Sequence, residues 1–122
     1  MVMNNKKTLV IGASEKPERY SNKAIHMLRK HNIDVEAIGI KAGKVADIEF
    51  GKEKLQFESI DTVTLYIGAT HQPAYYDYIL SLNPRRIIFN PGTENDAFYD
   101  LAQKNNIDCL EACTLVMLST GQ

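Results

Sequence analysis

Cysteine is scarce in this 122-residue chain, with only Cys109 and Cys113, four positions apart near the C-terminus. A structural zinc site needs more ligands close by, and none accompanies them. Their spacing is not C-x-x-C, so they read as two reduced thiols, one or both packed. Long apolar runs are missing as well. No stretch approaches the ~20 residues of a membrane helix. The opening Met1 to Lys7 lacks the apolar core of a secretory signal. A cytoplasmic location without membrane contact is therefore expected. An excess of one charge is also absent. The 14 basic and 15 acidic residues leave a net charge of −1, which will not draw the chain onto nucleic acid. With no internal repeat, low-complexity stretch or linker, one domain over residues 1–122 is expected, large enough for a proper core.

What is present begins with Lys7 to Leu28. The apolar run Thr8-Leu9-Val10-Ile11 ends at Gly12. The polar stretch from Ala13 to Tyr20 follows, and from Ser21 onward Ala24, Met27 and Leu28 recur at helical spacing. This is strand, loop, helix. The first amides of such a helix have no partners inside it and carry the positive end of its dipole, so a phosphate can rest there. The dinucleotide fingerprint G-x-G-x-x-G is incomplete. Only its first glycine is present, and Ser14 and Pro17 stand where the others would be. An ordinary strand-to-helix turn therefore weighs evenly against a phosphate loop on this stretch alone.

The pattern continues with a helix over Ser21–His31, a left-handed stop at Asn32 and a strand over Val35–Ile40. Lys41 to Ile60 has no clean period; Leu55–Phe57 is expected as a short edge strand, and no full crossover helix is expected. A strand over Thr62–Ile67 ends at Gly68. A helix from Pro73 presents Tyr75, Tyr78, Ile79 and Leu82 on one face and stops at Asn83-Pro84. Arg86–Asn90 is the next strand and Pro91-Gly92 a turn. Thr93 caps a helix with Asp96 in capping-box position, and its buried stripe is Phe98, Leu101 and Ala102. Ile107–Leu110 is a last strand, and Ala112–Leu118 an apolar tail or short helix. Alternation throughout predicts an α/β, Rossmann-like, doubly wound and mostly parallel five-stranded sheet with helices on both faces. In such sheets the ligand lies at the carboxyl ends of the strands, where strand order reverses. Four loops meet there: Gly12–Ser21, Lys41–Lys44, Gly68–Pro73 and Asn90–Glu94.

The end of the second strand separates cofactors. An NAD site wants an acidic residue there for the ribose hydroxyls. This chain has Ile40-Lys41, with Asp34 and Glu36 at the strand's other end. A lysine suits a phosphorylated ribose, as in NADP or coenzyme A. Its bland alternative is a solvated loop lysine. Arg19 is placed to fork onto a diphosphate, or else to pair with Glu15 or Glu18 on the surface. Ser14 and Ser21 offer hydroxyls to the same oxygens, and Ser21 also suits an N-cap.

Gly12-Ala13-Ser14, then Pro17, Arg19 and Ser21, then Ala24 and Leu28, resemble the opening of the small stand-alone CoA-binding proteins. They also resemble the CoA-binding domain of the succinyl-CoA synthetase alpha subunit. The strand ending in Lys41 is similar to that family's Val-x-Pro-Lys turn, with Gly39-Ile40 in place of Asn-Pro. Asn90-Pro91-Gly92-Thr93-Glu94-Asn95 resembles its Gln-Pro-Gly-x-x-Asn stretch, and Cys113 to Val116 its terminal cysteine segment. The resemblance implies a Rossmann-type domain that binds coenzyme A or acyl-CoA. On that footing the diphosphate meets Gly12, Ala13 and Ser14 with Arg19 and Ser21, and Lys41 meets the 3′-phosphate. Adenine lies near Ile67, Gly68 and Pro73, and pantetheine runs past Asn90, Pro91, Gly92 and Thr93.

Chemistry beyond binding finds little support in the residues. There is no P-loop and no room for a second domain. His71 has no evident carboxylate partner, and His26 and His31 read as surface. Cys113 has no evident neighbour to activate it. A non-catalytic binding protein is expected, with a protein partner or homo-oligomer left open and no metal site. The alternatives are an NADP-dependent oxidoreductase, or a ligand-free interaction module. Against the oxidoreductase, Tyr66, Tyr75, Tyr76, Tyr78 and Tyr99 have no lysine four residues on.

Overall fold

The computed structural model describes residues 6–121; Met1–Asn5, read above for a leader, lie outside the described residues. Strand β1 (Thr8–Ala13), helix α1 (Tyr20–Lys30) and strand β2 (Val35–Gly39) form the first βαβ unit. A hairpin follows, β3 (Gly43–Val45) and β4 (Ile48–Phe50), then β5 (Thr62–Leu65). Two 3-10 turns, Ala69–His71 and Pro73–Tyr75, lead into α2 (Tyr76–Leu82), and the chain closes with β6 (Arg86–Phe89), α3 (Asp96–Lys104), β7 (Asp108–Glu111) and α4 (Thr114–Ser119).

The main sheet has five strands in the order β2-β1-β5-β6-β7, all parallel. This is the expected doubly wound α/β architecture. Its strands read as nearly continuous apolar runs because both faces are covered. On one face Leu9, Ile11, Val63, Leu65, Ile87 and Phe89 pack with Ile79 of α2 and with Phe98 and Ala102 of α3. On the other, Val10 and Ala37 pack with Ile25 and Leu28 of α1 and Leu118 of α4. Phe98 anchors its side by stacking on Tyr76 at 4.4 Å between ring centroids and meeting Phe89 edge-on at 5.9 Å. Asparagine ends three helices in the left-handed region, at Asn32 (φ 59°), Asn83 (φ 51°) and Asn106 (φ 62°). No helix among the described residues is long and apolar enough to cross a membrane.

Four local expectations change. Leu55–Phe57 is not a strand; the strands of that region are the β3–β4 hairpin, whose turn places Ala46 at φ 56°. The guanidinium of Arg29, on α1, holds this turn by donating from Nε and Nη2 to the two carboxylate oxygens of Asp47, each at 2.9 Å. The Gly39 N–H donates to Gly51 O at 2.9 Å and covers the outer side of β2. Second, α1 begins at Tyr20 with Arg19 as its N-cap residue, so Ser21 lies inside the first turn and is buried. Third, the α-helix expected from Pro73 starts only at Tyr76. The fully buried Gln72 holds the chain before it, donating to Ile67 O at 3.0 Å and Thr93 O at 2.7 Å. Fourth, Asn95 rather than Thr93 caps α3, its Oδ1 accepting from the Phe98 N–H at 3.1 Å. The Thr93 hydroxyl instead donates to Asn90 O at 2.8 Å, closing the Pro91-Gly92 turn.

Candidate functional site

Strand order reverses between β1 and β5: the chain moves outward from β1 to β2, then returns across β1. The loops leaving the two strands part there, and a cleft of about 540 Å³ opens between them. Gly12, Ala13, Ser14, Arg19 and Ser21 line one wall. Ile67, Gly68, Pro91 and Gly92 line the wall opposite, and Lys41 stands at the β2 end. Pro73 and Asn90 do not line the cleft.

Gly12 makes the turn out of β1 at φ 100°, in the region that favours glycine. A Cβ there would lie 2.8 Å from Tyr66 O, so the residue type allows both the turn and the approach of the neighbouring strand. The loop is tied internally. The Lys16 N–H donates to Ser14 Oγ at 3.1 Å, and buried Asn22 reaches back from α1 to Ser14 O at 3.0 Å. No side chain caps the start of α1 and no acidic residue occupies its first turn. The first-turn residues Tyr20 and Ser21 face the cleft, beside Lys16 and Arg19. Together with Lys41 this gives three cationic side chains. Glu15 is the acidic one among the described residues of the lining. A positive helix end and net positive side-chain charge suit an anion.

Asn90 is buried because it organises the floor. Its amide donates to Thr64 Oγ1 at 2.7 Å and Leu65 O at 2.8 Å, and its oxygen accepts from the Thr114 N–H at 2.9 Å. The Thr64 and Thr114 hydroxyls are also bonded to each other at 2.7 Å. Next to them, Asn95 donates to Gln72 Oε1 at 2.9 Å and Tyr76 Oη at 2.8 Å, which binds the β5 and β6 loops into one unit. Burial pushes Tyr66 up to about 12, so its hydroxyl is neutral at pH 7.

Sequence reading missed Glu15, Lys16 and Tyr20 of the lining although they share the Gly12 loop. It also assigned no role to Ile40 and Ala42, which flank Lys41, and missed Phe50, which the hairpin brings in, and Tyr66. His71 is exposed and off the cleft. Cys109 and Cys113 are free thiols. Burial, with Asp108 adding to it, pushes Cys109 up to about 11, well away from a reactive thiolate.

Several solved structures share this architecture. The crystal structure of an uncharacterized protein superposes with a TM-score of 0.94 at 43% identity, covering 98% of each chain. A hypothetical protein from Pyrococcus horikoshii gives 0.85 at 23% identity over 95% of this chain and 83% of its own. A protein from Thermus thermophilus gives 0.83 at 16% identity over 95% and 89%. The last two show likeness of fold alone. No curated protein matches the sequence. Residues 6–119 match the family described as CoA binding domain, and the chain belongs to that family.

Proposed function

We propose that this protein binds coenzyme A or an acyl-CoA in the cleft between β1 and β5, as a binding protein. The observation that carries the reading is the cleft's charge arrangement. The uncapped start of α1 and Arg19 lie at the Gly12 loop, and Lys41 lies separately at the β2 end. Those are two anion positions on one groove, and coenzyme A carries two anionic groups, a diphosphate and a ribose 3′-phosphate.

The diphosphate sits against Gly12 to Ser14, with the α1 amides, Arg19 and the Ser21 hydroxyl as donors. Lys41 takes the 3′-phosphate. Adenine lies against the apolar surface at Ile67 and Gly68, and the pantetheine arm passes Pro91 to Thr93 toward β6. Pro73 and Asn90 act indirectly, through the 3-10 turn and the buried floor. Glycine at positions 12, 68 and 92 leaves that backbone open to close approach, and a Cβ at Gly68 or Gly92 would meet nothing within 4 Å.

A thermal-shift series with CoA, dephospho-CoA, acetyl-CoA, NADP and NAD tests this. Ligand at a hundred times its dissociation constant adds ~2.7 kcal/mol, a rise of several degrees for a domain of this size. The expected result is a rise with CoA and acetyl-CoA that shrinks with dephospho-CoA. A rise with NADP alone overturns the reading in favour of a reductase, and no rise with any of them removes the ligand assignment.

A further inference from the structure

Glu15 is out of place in an anion site: a carboxylate on the lining of a cleft that otherwise presents Lys16, Arg19 and Lys41. Its own charge opposes a phosphate nearby. Its contacts give the compensating reason. Glu15 Oε2 accepts from the Lys44 N–H at 2.8 Å, across the gap between the β1 loop and the β3–β4 hairpin. The stem of the side chain lies flat on Gly43, where an added Cβ would come within 2.6 Å of Glu15 Cγ and 2.7 Å of Cδ. Val45 and Phe50 seat the hairpin in the core, with the Phe50 ring against Gly43, and its other polar fastenings are remote from this point: Asp47 at its tip is held by Arg29, and Gly51 at its base by the Gly39 N–H. Lys41 and Ala42 are exposed and lie between β2 and Gly43. Glu15 makes the polar link between this stretch and the β1 loop.

We propose that Glu15 is a positioning residue for coenzyme selection. Its carboxylate pins the Lys41–Lys44 stretch to the β1 loop, holds the Lys41 ammonium at the β2 end of the cleft, and so sets the preference for a ribose-phosphorylated coenzyme. The inference rests on the coenzyme reading above. The acceptor and the charge of Glu15 act in opposite directions on such a ligand, so replacing them separately resolves them. Glu15→Gln keeps an acceptor for the Lys44 N–H and drops the charge. Glu15→Ala removes both. Gly43→Ala leaves Glu15 intact and pushes it off the hairpin by contact, while its Cβ also comes within 3.0 Å of the Phe50 ring.

The experiment measures calorimetric dissociation constants for CoA and dephospho-CoA with the full chain and these three variants. Dephospho-CoA, which lacks the group Lys41 meets, reports that each variant is folded and its diphosphate site intact. Gly43→Ala is expected to bind dephospho-CoA as the parent does and to lose about fivefold of the preference for CoA, and Glu15→Ala to lose about as much relative to Glu15→Gln, the worth of one hydrogen bond. Glu15→Gln is expected to keep that preference or raise it. Equal preferences in Glu15→Ala and Glu15→Gln overturn the proposal. A parent protein that binds neither compound defeats the coenzyme reading and this inference with it. A parent that prefers CoA, beside Glu15→Ala and Glu15→Gln variants of equal preference, defeats this inference alone.

Discussion

The two ends of the cleft are built in opposite ways. At the β6 end, Asn90, Gln72, Thr64 and Thr114 are buried, and each makes hydrogen bonds with the others or with neighbouring backbone. At the β2 end, Lys41, Ala42 and Lys44 are exposed; Val45 and Phe50 seat the hairpin in the core, and its polar ties are solvent-facing contacts to Glu15 and Arg29. Buried polar groups are costly to leave unmatched, so the first end is a single cooperative unit. Exposed ion pairs and single surface hydrogen bonds contribute little each. The second end therefore carries charges that can change without threatening the fold. The buried polar network sits on one wall and the exposed charges on the other.

Asn90→Ala attacks the buried end and should have the largest effect. It strips Thr64, Leu65 and the Thr114 N–H of their partner at once, with an expected loss of ~3 kcal/mol and a melting point about 10 °C lower by calorimetry. A melting point near the parent's would show that the buried network does not hold this wall. Gly12→Ala tests the hinge between the walls. The positive φ and the 2.8 Å approach to Tyr66 O predict destabilisation by ~2 kcal/mol together with loss of the CoA-induced thermal shift. A variant that keeps the full shift would place the phosphate elsewhere. Lys41→Ala should invert the Asn90 result, with melting nearly unchanged and CoA affinity down about tenfold. If its dephospho-CoA affinity falls equally, Lys41 does not serve the ribose phosphate.

The smallest effect belongs to a pair remote from both walls. Arg85 donates from Nε to Asp61 Oδ1 at 2.9 Å, and the Thr62 hydroxyl donates to Oδ2 at 2.6 Å. Burial raises the Asp61 carboxyl, but the Arg85 and Thr62 hydrogen bonds and the charges of Arg85 and Arg86 outweigh it and leave it below the usual range. A carboxyl lowered on folding adds stability above its unfolded value of about 3.9, and that stability is lost as pH falls through the lower folded value. The gap in denaturation midpoint between the parent and Asp61→Asn should be full at pH 7 and close below about pH 4. A gap that stays constant into acid would assign the effect to packing rather than to ionisation.

Most of the cleft's lining can be read directly from the chain, because alternating strands and helices force their connecting loops to one edge of the sheet. Gly12, Ser14, Arg19 and Lys41 follow from that placement together with the chemistry of their side chains. The hairpin is different. Val45-Ala46-Asp47-Ile48 has no Asn-Gly or Asp-Gly signature, and Ala46 adopts φ 56° without glycine's freedom. Its turn is held by Arg29, eighteen residues earlier on another element. Asn90 misleads in the opposite sense. Its place beside Pro91-Gly92 suggests a ligand contact, yet its partners Thr64 and Thr114 are 26 and 24 residues away and claim the whole side chain.

Periodicity, β-branched runs and asparagine stops are local properties, readable along the chain because they act through neighbours three or four residues apart. They account for the parallel sheet, its two apolar faces and the edge where the loops gather. Which side chains stand free in the cleft and which are consumed in holding it depends on residues brought together from distant parts of the chain. A carboxamide or carboxylate has no role until its hydrogen-bond partners are in reach. Only after folding does Asn90 become part of the floor and Glu15 a link between two loops.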